Sequence, residues 1–211
     1  MLRAELCVRL AILAKSKDKL PSLVDNALRR TLCEGDLVCK QKALSLVKTV
    51  LAFEPSMLSD RVFDLLRVHH SAPKVLQLQM VEVSVACYFR CGKSFKNLAA
   101  MLHAPDSEVN LHCLKAISQL VGKTQPAHDQ HKLTLILLSL LKTASSEIQS
   151  HALQILSQLQ AHNKSVLLEC VKQVVQNPAA TNASKSMIVS MLVQRVPELP
   201  TLSLETLRRL L

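Results

Sequence analysis

The sequence predicts an all-α chain of antiparallel helix pairs, on three observations: an almost wholly aliphatic apolar content, apolar residues at helical spacing in short bounded segments, and one apolar stripe that recurs along the chain. Apolar residues make up 49% of the 211 residues, too many for a disordered polymer and enough for a sizeable core, with one or two domains open on length alone. One Tyr, four Phe, no Trp and three Gly leave a sheet short of the aromatics and turn glycines it favours. Eight prolines stand at intervals that punctuate helices.

Taken in order, the periodicity predicts helices over residues 2 to 15, 20 to 33, 36 to 53, 56 to 69, 73 to 90, 94 to 102, 106 to 121, 129 to 143, 146 to 160, 164 to 176, 181 to 195 and 202 to 210. The opening run, MLRAELCVRLAILAKSK, reads as an amphipathic helix, because Arg3, Glu5 and Arg9 break the apolar core that a signal peptide requires. Asp36, Asp106 and Asn163 offer side-chain oxygens to free amides at helix starts, and Pro73 and Pro105 fit first-turn positions where a missing N–H costs nothing. The short connections force neighbouring helices to run antiparallel. The most apolar run, Leu133 to Leu141, stops at Lys142, far short of the roughly 18 residues a membrane span needs, so a soluble chain with no membrane partner is expected. Seven scattered cysteines, an odd number, fit buried thiols in a reducing compartment, the cytoplasm or nucleus.

Val109, Cys113, Leu114, Ile117 and Leu120 define the recurring stripe. It returns as Cys39, Ala43, Leu44, Val47, Val50 and as Ile148, Ala152, Leu153, Leu156, Leu159. Weaker copies are Val75, Gln79, Met80, Val83, Ala86 and Ala183, Met187, Ile188, Met191, Gln194. Starts at 39, 75, 109, 148 and 183 are spaced by 36, 34, 39 and 35 residues, and a period in that range with two helices in each is the pattern of a helical solenoid. The stripe is expected to face inward. The segment from Leu2 to Lys15 reads as a lone second helix and that from Leu202 to Leu211 as a lone first helix, which suggests a piece or short isoform of a longer solenoid.

The stretch from Ala104 to Leu120, APDSEVNLHCLKAISQL, resembles the second helix of a HEAT repeat, in which Pro-Asp precedes Val-Arg and a small residue lies four positions beyond the Val. Ser145 to Leu153 is similar. The resemblance implies a right-handed α-solenoid of the ARM/HEAT kind with about 11 or 12 helices, about five repeats in a single domain over residues 1–211, and binding rather than catalysis. The chain departs from the family at Asn110 and Gln149, where Arg is common, which puts the usual Asp and Arg ladder in question. In texture it also resembles the long helical-repeat chains of the vertebrate meiosis-inhibitor family, which implies a nuclear complex and a role in meiotic recombination.

Chemistry is sparse. Gly35, Gly92 and Gly122 stand singly, so no phosphate loop is formed. Cys87 and Cys91 lie four apart on one helix, with His103, His112, His128 and His131 elsewhere; one close Cys pair is short of a zinc set, and neither metal nor cofactor is expected. Cys113 and His112, adjacent on a helix, point about 100° apart and make no dyad. Carboxylates are spread thinly, mostly near helix starts. Charge carries the functional hint: 26 Lys and Arg against 16 Asp and Glu give +10, favouring acidic partners. The candidate basic contacts are Lys15, Lys17, Lys19, Arg29, Arg30, Lys40, Lys42, Arg90, Lys93 and Lys96, with a solvated face as the plainer reading. Tyr88, Phe89 and Phe95 form the one aromatic cluster and read as core rather than as a base-stacking platform. Two functions remain, a non-enzymatic scaffold that holds protein partners and a nucleic-acid-associated subunit touching the phosphate backbone through basic helices.

Overall fold

Punctuation residues set the helices where their chemistry dictates. The computed structural model describes residues 20–53, 55–66, 72–121, 130–143, 145–159, 164–177 and 180–193, and among them all regular structure is helical. The helices are α1 (Leu20–Glu34), α2 (Leu37–Phe53), a 3-10 turn (Pro55–Met57), α3 (Asp60–Leu65), α4 (Lys74–Cys91), α5 (Phe95–Leu102), α6 (Ser107–Val121), α7 (Gln130–Thr143), α8 (Ser146–Leu159), α9 (Lys164–Gln176) and α10 (Asn182–Val193). The helices expected over 2 to 15 and 202 to 210 lie outside the described residues, as does the cap expected at Asn163.

Asp36 caps α2, its Oδ1 accepting from the Cys39 amide at 2.7 Å, and Asp106 caps α6 by accepting from Glu108 and Val109. Gly35 makes the α1–α2 turn possible, since a Cβ there would stand 2.4 Å from the Thr31 carbonyl oxygen. Gly92 closes α4 at φ 68°, the left-handed conformation that favours glycine, and its N–H reaches the Tyr88 carbonyl.

Two features differ from the expected pattern of starts. The single helix expected over 56 to 69 is replaced, over its described part, by the 3-10 turn and short α3, and the Ser59 amide between them donates to Asp25 on α1 at 3.0 Å. Pro73 takes the N-cap of α4, where its carbonyl accepts from Leu76 and Gln77, and Pro105 lies before the Asp106 cap, so neither prolyl ring sits inside the first turn.

The described helices fall into two compact units that divide within α6, after Ala116. In the first, α1 packs on α2 and α3, α2 on α4, and α4 on α5. Its core joins Leu28 and Leu32 of α1, Leu44, Val47 and Leu51 of α2, Val62 and Phe63 of α3, and Leu76, Met80 and Val83 of α4. In the second, α7 packs on α8 and α9, and α10 on α8 and α9. Each fully buried aliphatic side chain stabilises by about 1.5 to 3 kcal/mol relative to exposure. Of the fifteen residues in the three stronger copies of the stripe twelve are buried, among them Ala43, Val47, Val109, Cys113, Ile117, Ile148, Ala152 and Leu156, and Cys39, Leu120 and Leu159 are half-buried. In the weaker copies Met80, Val83 and Ile188 are buried as expected, but the leading position is displaced by one residue. Val75 is 56% exposed and Ala183 is exposed, while Leu76 and Ser184 beside them are buried.

Candidate interaction surface

Polar side chains cross from helix to helix at a recurring interval. Asp25 of α1 accepts from the Ser59 amide, Asn97 of α5 donates to the Phe63 carbonyl at 2.8 Å, and Asn177 beyond α9 donates to the Leu141 carbonyl at 2.7 Å, joining residues 34, 34 and 36 apart. Lys48 of α2 likewise meets Glu82 of α4, 34 residues on, and Ser184 of α10 meets Gln149 of α8, 35 residues away. The positions where the HEAT pattern has Arg are buried here. Asn110 donates to the Leu102 carbonyl, and Gln149 accepts from Ser184. Neutral amides thus occupy the two places where a charged ladder was in question.

Glu82 is the centre of a three-helix run. His112 Nε2 of α6 lies 3.3 Å from Glu82 Oε1, close enough for charge interaction but not aligned as a hydrogen bond. Burial pushes the Glu82 carboxyl up, but the Lys48 hydrogen bond and charge, with His112, outweigh it and hold the group below its ordinary value. Lys74, at the start of α4, pairs with both Asp106 and Glu108, and its hydrogen bond to Asp106 leads the causes that raise its pKa and lower that of Asp106.

The structure places the candidate cations unevenly. Lys15, Lys17 and Lys19 lie outside the described residues. Arg30 pairs with Glu34 one turn away, Lys93 reaches Asp60 at 2.7 Å and ties the α4–α5 loop to α3, and Arg90 donates weakly to the Leu51 carbonyl at 3.5 Å. Arg29 and Lys40 are half-buried, Lys42 and Lys96 are exposed, and none of the four has an ion pair among the described residues. They belong to α1, α2 and α5, all in the first unit.

The buried thiols are held protonated. Burial raises Cys87 and Cys113 far above the ordinary thiol range and pushes Cys170 up to about 12, so these three supply no thiolate near neutral pH. Cys113 points into the core while its neighbour His112 faces Glu82. Cys91 donates to the Cys87 carbonyl, and among the described residues no group of three or more His, Cys, Asp and Glu is placed to hold a metal ion. Tyr88 and Phe89 are buried edge to face with centroids 5.5 Å apart, and Phe95 packs on Tyr88. Tyr88 and Phe89 are closed to a stacking base, and Phe95 is half-buried.

No family model, no curated protein and no solved structure matches the chain. The HEAT/ARM resemblance therefore stands on the residues quoted for it, and the meiosis-inhibitor resemblance on texture. No described helix is long and apolar enough to cross a membrane.

Proposed function

We propose that each unit is a run of right-handed α-solenoid built from antiparallel helix pairs, and that the chain is a non-enzymatic intracellular scaffold. In this reading it binds protein partners through the outward faces of its repeat helices, within a nuclear complex. The observation that carries the reading is the set of helix-to-helix bonds at 34 to 36 residues, because in a stacked-repeat protein each helix packs on its equivalent one repeat away. Its polar residues serve that stacking, and the buried thiols are unsuited to nucleophilic work.

The test is photo-crosslinking of the full chain at exposed positions such as Thr49 and Lys115, with the meiotic texture directing the cellular version to germ cells. Discrete protein adducts that persist in high salt are the expected result. Adducts to nucleic acid alone would contradict it.

A second reading, a nucleic-acid-associated subunit contacting the phosphate backbone, is favoured by the +10 charge and by Arg29, Lys40, Lys42 and Lys96 having no ion pair among the described residues. It requires duplex affinity that falls steeply with salt and weakens in Lys40→Glu with Lys42→Glu.

A further inference from the structure

We draw no further inference here: the strongest candidate, the Lys48, Glu82 and His112 side-chain cluster that crosses from α2 through α4 to α6, belongs to the helix-to-helix links already described, and nothing in the structure shows a ligand or partner that it would hold.

Discussion

In the first unit, several of the links that pass between helices are ion pairs: Lys48 to Glu82, Lys74 to Asp106 and Glu108, Lys93 to Asp60. In the second, neutral links join helices over a like interval, Asn177 to the Leu141 carbonyl and Ser184 to Gln149. Lys48 to Glu82 spans 34 residues and the neutral pairs 36 and 35, so the spacing follows helix packing and not the kind of bond. The two kinds differ in what disturbs them. The ion pairs are partly exposed, so each contributes little and salt screens it. A buried amide bonded to a helix-end carbonyl contributes little net, but its removal strands an acceptor and costs more.

The largest effect should ignore the difference. Leu44→Ala in the first unit and Leu153→Ala in the second each remove a fully buried side chain and should each cost about 2 to 5 kcal/mol, equally in low and high salt, by denaturant unfolding. A strong salt dependence of either would show that the units do not share the same kind of core. Next come the amides. Asn97→Ala and Asn177→Ala should each destabilise by about 1 to 3 kcal/mol and speed hydrogen exchange around α3 and α7 respectively, again without regard to salt. Unchanged exchange in both segments would mean that the carbonyls find other partners.

Smaller, and confined to the first unit, is Lys48→Met, expected to cost about 1 kcal/mol or less and to become neutral as salt rises. Acid sharpens the contrast further. The Glu82 carboxyl is held below the ordinary 4.5, so its stabilisation is present above that value and is lost as pH falls through the lower folded value; Asp106, held below 3.8 chiefly by Lys74, behaves the same way. Exchange in α2, α4 and the start of α6 should therefore accelerate below about pH 4.5, and Glu82→Gln should remove part of that response. The amide and hydroxyl bonds of the second unit contain no titrating group.

Helix positions were legible because the signals that set them are local: Asp36, Gly35 and Asp106 act within a turn of themselves, and the described helices begin and end within a residue or two of expectation apart from the 56 to 69 segment. At that break the Ser59 amide meets Asp25, 34 residues earlier, which no local pattern reports. The one-residue offset at Val75 and Ala183 has a similar origin. Apolarity alone favours those residues, but Gln77, Ser84 and Ser184 can be buried, and Ser84 and Ser184 are satisfied there by Leu66 and Gln149. Counting cations could not separate Arg30 and Lys93, engaged within the fold, from Lys40, Lys42 and Lys96. The signal that could have helped is the interval itself. Asp25 with Ser59, Lys48 with Glu82 and Gln149 with Ser184 are polar pairs 34, 34 and 35 residues apart.

Register between equivalent helices is the central claim, and directed disulfide formation measures it most directly. Lys48→Cys with Glu82→Cys, and separately Gln149→Cys with Ser184→Cys, should each give an intramolecular cross-link that peptide mass spectrometry assigns to the introduced pair, whereas Lys48→Cys with Val75→Cys should give little. Efficient cross-linking of residues 48 and 82 and of residues 149 and 184 is the predicted result. Cross-links that form only between molecules, or only at the displaced pair, would contradict helices stacked one repeat apart.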